Sequence, residues 1–452
     1  MEPKLSVTFN SGSIPEMTQS FEKDRSSFPY LSIKDYFTDP EKALTAQIQQ
    51  CQYVLAFRFK LQPDGPDRVW YFIKTGEVAR IVLNAPRYGI QEAGHPWGEG
   101  PLTSILRSTC AVDKCPGAGT NNVMTSGADK HEEFRKPLRE EFIKGLNAYI
   151  PKLAECIYKL LPTSTTALFC DVNSFSRSLV QNTVLELMGF SPDVVTMEDI
   201  SNLNVIGHEM AKGVEGAADK MRVLRETIDR TVVKELSSLK EESLFRVLQK
   251  KGYSEVACRE TIIVLMIGAR NGSTALIHLI WLLSRNSEMQ EAVKREYLQV
   301  NQDITDWTQS LNKMHILRNL FRYSLNTHSP VKTINRNAIN PMILTIKDEQ
   351  REQSFGIFPG DKVDYLMYEA AKVNSPGSPL TTEKISLSHI PFSVGPNQCP
   401  ASHLIEAIVM MTAGMLINRF QLECDTEKLN VIPNVFVNEF VDEPIFVNLR
   451  PL

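Results

Sequence analysis

Two short apolar runs rich in β-branched and aromatic residues, 53–59 and 68–73, flank a turn-forming stretch around Asp64-Gly65. They predict a β-hairpin. From about residue 129 to 298 the apolar positions recur at three and four, the helical period. Within that region residues 254–284 are long enough for a helix of about 45 Å. Its apolar residues lie nearly all round, as in a helix buried in a core. Short strands are expected again after Pro330, at 342–346 and at Val363 behind the Pro359-Gly360-Asp361 turn. A last helix is predicted from near Ser402 to Phe420. The pattern is mainly α with a small β portion split along the sequence.

Composition narrows the picture. A chain of 452 residues would ordinarily make about three domains, yet no internal repeat or low-complexity linker divides it. One domain over 1–452 is expected, with residues 1–27 polar and irregular. Hydrophobic residues at 42% and charged residues at 23% exclude a disordered chain. The net charge of −4 argues against nucleic acid as partner. No unbroken run of about 18 apolar residues is present, so no transmembrane anchor is expected. The polar N-terminus has no signal-peptide block, which points to a soluble protein of the cytoplasm.

Eight cysteines stand at 51, 110, 115, 156, 170, 258, 399 and 424. They form no C-x-x-C pair and no zinc-like cluster with histidine. Most read as small buried apolar side chains. Cys110 and Cys115 could pair, but an intracellular setting favours free thiols.

Cys399 differs in its surroundings. It lies in Pro391-Phe392-Ser-Val-Gly395-Pro-Asn397-Gln-Cys399-Pro-Ala401, just ahead of the last predicted helix. Unpaired backbone N–H groups at a helix start favour a thiolate. Gly395 lets the backbone approach a flat partner, and Phe392 can pack against it. Here the sequence resembles the haem-binding loop of the cytochrome P450 superfamily, F-x-x-G-x-x-x-C-x-G/A. Other segments recur in the family's order. His131-Glu-Glu-Phe-Arg135 resembles its H-x-x-x-R pattern, and Pro330 to Arg336 its propionate-binding strand. The resemblance spans residues 30–450 and implies the P450 fold, with haem b held by the thiolate of Cys399. It also implies that His131, Arg135 and Arg336 hold the propionates, with Asn397 where the family often has His or Arg. Residues 93–122 would then form much of the distal pocket, too variable to name a substrate.

Two departures bear on function. The family's A/G-G-x-D/E-T-T falls on Ile267-Gly268-Ala-Arg270-Asn271-Gly272, so the acid becomes Arg270 and the threonine Asn271. Arginine does not relay protons at neutral pH, and the hydroxyls of Ser273 and Thr274 face elsewhere on a helix. The family's E-x-x-R falls on Tyr323 and Asn326, with Arg322 one residue off register. Neutral hydrogen bonds must replace that ion-pair network, or it is absent, and such a replacement need not destabilise.

Arg270 either pairs with an internal carboxylate or a propionate, or receives a substrate carboxylate in a bidentate pair. Asn271 is placed to donate to the reacting oxygen. The arginine resembles that of the family's fatty-acid peroxygenases, and the asparagine that of allene oxide synthases. The resulting expectation is a haem-thiolate enzyme acting on a mainly apolar, carboxylate-bearing small molecule. Its chemistry would be peroxygenation, hydroperoxide rearrangement or a redox-neutral conversion, for which no redox partner is required. Two other readings compete: a monooxygenase fed by dioxygen and a reductase, and a catalytically degenerate binding protein.

Overall fold

In the computed structural model, the described residues are 6–11, 21, 24–32, 40–49, 51–60, 66–84, 90–91, 128–211, 214–300, 307–331, 333–338, 340–367, 378–383, 390–395, 398–429, 431–433, 439–441 and 444–452. The chain opens with strand β1 (Ser6–Ser11) and helix α1 (Pro40–Ile48). The hairpin β2 (Val54–Phe59) and β3 (Arg68–Ile73), helix α2 (Gly76–Leu83) and β4 (Ile90–Gln91) follow. Then come α3 (Ala128–Ile143), α4 (Leu146–Leu160), β5 (Leu168–Asp171), α5 (Val172–Met188), α6 (Met197–Ala211) and α7 (Ala217–Glu235). Helices α8 (Leu244–Lys250), α9 (Glu255–Ser284), α10 (Ser287–Val300), α11 (Trp307–Lys313) and α12 (His315–Thr327) complete the helical run. Strands β6 (Thr333–Ala338), β7 (Met342–Lys347), β8 (Glu352–Ile357) and β9 (Lys362–Leu366) precede the last helix, α13 (Ser402–Arg419). The C-terminal strands are β10 (Phe420–Glu423), β11 (Val431–Pro433), β12 (Glu439–Val441) and β13 (Phe446–Pro451).

Chain contacts define two compact units. The first comprises Met1–Gly98, Val331–Ser375 and Ser388–Cys399; the second holds Glu99–Pro330, Pro376–Leu387 and Pro400–Leu452.

In the first unit β2 and β3 pair antiparallel, Val54 opposite Ile73 and Phe59 opposite Arg68, as the two β-prone runs predict. They enter a five-stranded sheet of order β2-β3-β9-β6-β4. Successive strand residues face opposite sides, so this sheet has two apolar faces. Phe57, Phe59, Trp70 and Phe72 pack with Leu44 and Ile48 of α1. Val69, Tyr71, Val363 and Tyr365 pack on the other side with Val78 and Val82 of α2.

The N-terminal segment differs from the irregular coil expected of it. Its six residues Ser6–Ser11 pair with β7, from Ser6 opposite Lys347 to Ser11 opposite Met342. Val7 packs against the apolar cluster under the sheet while its neighbours Ser6 and Thr8 are exposed, as an edge strand of the sheet β1-β7-β8 with one solvated face allows. Arg25 then grips Asp361 with two nitrogens, at 2.6 and 2.9 Å. Asp361 also accepts the N–H groups of Val69 and Phe358, at 2.9 and 2.8 Å, so the expected turn is tied from three directions. Gly360 beside it takes φ 87°, the left-handed region that favours glycine.

The second unit is built round α9, which packs along α5, α12 and α13. Ser254 caps it by accepting the N–H of Ala257 at 3.1 Å. Its most apolar window has mean hydropathy 1.4, high enough for a membrane span despite the interrupting Arg270, but 78% of that window is buried in protein. No other described helix is long and apolar enough to cross a membrane. At Gly272 the helix meets its neighbours closely: a Cβ there would lie 2.7 Å from Ile405 Cδ1 of α13 and 3.4 Å from Val180 Cγ1 of α5.

Candidate functional site

The Cys399 loop hangs from the core of the first unit at two points. Ile390 is buried in the apolar cluster under the sheet and Val394 packs against it. Phe392 and Cys399, set between and beyond these anchors, are left half-buried. The Cys399 N–H donates to the Phe392 carbonyl at 2.7 Å, Ser393 N–H to Ile390 O at 2.9 Å, and Gln398 N–H to Gly395 O at 3.1 Å. Gly395 has φ 72°. A Cβ there would sit 2.7 Å from Asn84 Oδ1 and 3.0 Å from the Leu83 carbonyl at the end of α2. Glycine is therefore required twice, for its backbone angle and for close approach.

Arg336 reaches the same loop from β6. It is 5% exposed, and its Nη2 donates to Ser393 Oγ at 3.0 Å. Ser393 is the one described non-glycine residue with positive φ, at 59°. Such a conformation costs about 1 kcal/mol or more and persists only where the surroundings impose it. Nothing in a lone serine signals this role in the sequence.

On the second unit, Arg135 of α3 is 5% exposed. His131 lies one helical turn earlier on α3, with its side chain outside the described residues. Asn397, Cys110, Cys115 and the segment 93–122 also fall outside them. Arg270 and Asn271 are half-buried on α9, and Gly268 is exposed, with nothing within 4 Å of where its Cβ would stand. Among the described residues, this stretch of α9 is thus left uncovered at Gly268. Ser273 Oγ and Thr274 Oγ1 both donate to the Arg270 carbonyl, at 2.7 and 3.1 Å. These hydroxyls are engaged with their own backbone.

The family comparison gives the decisive finding. The sequence model described as Cytochrome P450 matches residues 178–441, more than half of the chain. The chain belongs to the cytochrome P450 family. No curated protein matches the sequence. Among solved structures, the retinoic-acid-bound cyanobacterial CYP120A1 superposes with a TM-score of 0.71 at 18% identity, covering 94% of this chain and 98% of that one. At this identity the likeness shows the fold, which is the mainly α arrangement with a small split β portion expected from the sequence.

P450 enzymes are oxidoreductase-type proteins that act on small molecules and carry haem b on a cysteine thiolate. The residues present fit that group. A soft sulfur ligand suits iron, and Cys399 offers it from a loop that glycine packs tightly against α2. A buried cation, Arg336, adjoins the loop. Among the described residues no cluster of three or more His, Cys, Asp or Glu could hold a metal ion by itself. The other described cysteines are free thiols. Burial pushes the thiols of Cys170 and Cys258 up to about 11 and about 12, away from the thiolate form.

The E-x-x-R positions carry no such ion pair in this P450: Asn326 is buried and Tyr323 half-buried. Other bonds tie α12 down. Asn319 donates to the carbonyls of Thr381 and Glu383 at 2.6 and 2.7 Å. Glu296 of α10 accepts the N–H groups of Ile316 and Leu317 at the helix start, at 2.7 and 2.9 Å. An ion pair does survive a turn away, Arg318 Nε to Glu406 of α13 at 2.6 Å. Sequence reasoning missed it because the two residues are far apart in the chain and match no spacing rule. Burial holds the Arg322 guanidinium below its ordinary pKa, Glu406 opposing and Arg318 adding to the effect.

Proposed function

We propose that this P450 performs non-standard chemistry on a mainly apolar small molecule bearing a carboxylate, taking its oxygen from a peroxide or hydroperoxide. The observation that carries the reading is the open stretch of α9. It presents Arg270 and Asn271, while the two nearest following hydroxyls are bonded to the Arg270 carbonyl. No acid stands at the position that delivers protons in oxygen-activating members, and a guanidinium does not replace one. Oxygen brought as a peroxide is already reduced. One oxygen atom passes to the substrate and the other leaves as water or an alcohol, with no external electrons.

In this reading Cys399 holds haem b, with Phe392 and Gly395 shaping the loop and His131, Arg135, Arg336 and Asn397 serving its propionates. Bound through a thiolate, haem supplies iron whose sulfur ligand favours O–O cleavage. Arg270 receives the substrate carboxylate with two parallel N–H bonds. Asn271 donates its amide N–H to the reacting oxygen. The retinoic acid of the cyanobacterial relative, an apolar skeleton ending in a carboxylate, is a ligand of this chemical kind. Family motifs occur in both compact units, which supports reading the chain as one catalytic domain, and we place it in the cytoplasm.

The test compares turnover with hydrogen peroxide or a lipid hydroperoxide, without reductase, against turnover with NADPH, a reductase and oxygen. Peroxide-driven turnover is expected. Strict dependence on the reductase would instead make the enzyme a conventional monooxygenase. Arg270→Ala should lose activity toward a carboxylic acid but not toward its methyl ester. An equal loss on both would make Arg270 structural.

A further inference from the structure

An apolar helix such as α9 rarely tolerates a carboxylate, yet Glu260 is only 5% exposed within it. Steps of four, three and four residues put Glu260, Val264, Ile267 and Asn271 in line on one side of the helix. Glu260 and Asn271 are about 16 Å apart along the axis at the helical rise. Cover thins along this line. Glu260 and Val264 are 5% and 6% exposed, and Ile267 and Asn271 are half-buried.

Glu260 is met from α7 by Arg225, whose Nη2 donates to Oε1 at 3.0 Å. The two side chains are 3% and 6% exposed. Arg225 Nε and Nη1 are buried with no hydrogen-bond acceptor. One turn further along α7, Asp229 accepts from Arg259 Nη1 of α9 at 2.5 Å. The two ion pairs run in opposite senses and fix α7 on α9, so the Arg225 donors are held in place. A guanidinium is acceptor-free, and burying its N–H groups unmatched is costly. The adjoining Glu260 carboxylate already balances the charge. Glu260 Oε2 is buried too and accepts none of these bonds; a second anion would be repelled by it, so the ligand that fits the spare donors is a neutral oxygen.

We propose that Arg225, held by Glu260, is a specificity-determining residue: its spare donors receive a hydroxyl or carbonyl oxygen at the end of an elongated substrate remote from Asn271. This rests on the substrate reading above and extends it to a bifunctional apolar molecule, a carboxylate at one end and an uncharged oxygen at the other. Arg270 takes the first and Arg225 the second.

The experiment uses the haem-loaded enzyme and equilibrium dialysis with two probes, dodecanoate and ω-hydroxydodecanoate. Arg225→Ala alone would strand a buried Glu260 charge, so the variant is Arg225→Met with Glu260→Leu, which removes both charges at similar volume. The wild type should prefer the hydroxylated probe, and the double variant should lose about tenfold of that preference while still binding dodecanoate. Binding of both probes with the same preference in the two proteins overturns the proposal alone and leaves the pair a structural link. Failure of both probes to bind wild type overturns the carboxylate-substrate reading, and this proposal with it.

Discussion

Adding one methyl group at two glycines of α9 separates packing from helix propensity. Glycine in a helix interior costs about 1 kcal/mol relative to alanine, so Gly268→Ala, where the Cβ meets nothing within 4 Å, should stabilise by about that amount. At Gly272 the same propensity gain is opposed by a contact of 2.7 Å to Ile405 Cδ1, with Ile405 Cγ2 and Val180 Cγ1 both at 3.4 Å. Overpacking of this kind costs roughly 1–3 kcal/mol. The net effect of Gly272→Ala is then a loss of about 0–2 kcal/mol, and the two alanine variants should differ by about 1–3 kcal/mol. Ile405→Val removes the offending methyl at a cost of about 1 kcal/mol on its own. Combined with Gly272→Ala it should cost less than the sum of the two, by about 1 kcal/mol or more. Urea unfolding followed by far-ultraviolet circular dichroism, with midpoints compared at unchanged slope, reads these differences. Gly272→Ala stabilising as much as Gly268→Ala, or strict additivity with Ile405→Val, would refute the close approach of α9 and α13. Gly268→Ala has a second consequence. Its methyl fills part of the open stretch beside Asn271, so KM should rise although the protein is more stable.

His278 is fully buried, its Nδ1–H donates to the His328 carbonyl at 2.8 Å, and burial pushes its pKa down from 6.5 to about 3. Between those values only the unfolded chain takes the proton. The contribution is complete above 6.5 and is lost as pH falls, by up to about 1.4 kcal/mol per pH unit. His278→Asn should therefore flatten the acid limb of the stability curve measured by urea unfolding, and an unchanged limb would contradict this placement. Asn319→Ala should cost roughly 1–2 kcal/mol, because it removes two hydrogen bonds to the carbonyls of half-buried Thr381 and exposed Glu383; a change below about 0.5 kcal/mol in thermal unfolding would show that water replaces the amide freely. For Ser393, glycine relieves the positive φ but loses the bond to Arg336, whereas alanine loses the bond and keeps the strain. Ser393→Ala should thus be less stable than Ser393→Gly by about 1 kcal/mol in the same assay.

Legibility in the sequence followed the range of the interactions. The hairpin β2–β3, the 30-residue helix α9 and helix α13 rest on periodicity within one segment, and all were predictable. The Cys399 loop was legible because four positions within ten residues, Phe392, Gly395, Cys399 and Ala401, meet one requirement. Strand β1 was not, because Val7 and Phe9 alternating with Ser6, Thr8 and Asn10 make too short a period to stand out in a polar segment, and its partner β7 lies over 330 residues away. Ser393 holding Arg336, Glu296 capping α12, and Arg225 meeting Glu260 were equally hidden. Each joins separate segments of the chain through one side chain reaching across, and a single residue has no pattern to read.

The two departures from the family have unequal consequences because the lost interactions are of different kinds. At Tyr323 and Asn326 what is lost is structural, an ion pair, and structural bonds are interchangeable. Asn319, Glu296 and the Arg318–Glu406 pair hold α12 by other donors and acceptors at 2.6 to 2.9 Å. A buried ion pair is a weak source of net stability, so its replacement leaves the fold intact. At Arg270 and Asn271 what is lost is a proton route, which needs a group that gains and releases a proton near neutral pH. Neither an arginine nor an amide does so, and the hydroxyls that might have served are bonded to the Arg270 carbonyl. Under the proposed function, then, the family fold persists on other structural bonds while the burden of supplying protons and electrons passes to the oxidant itself.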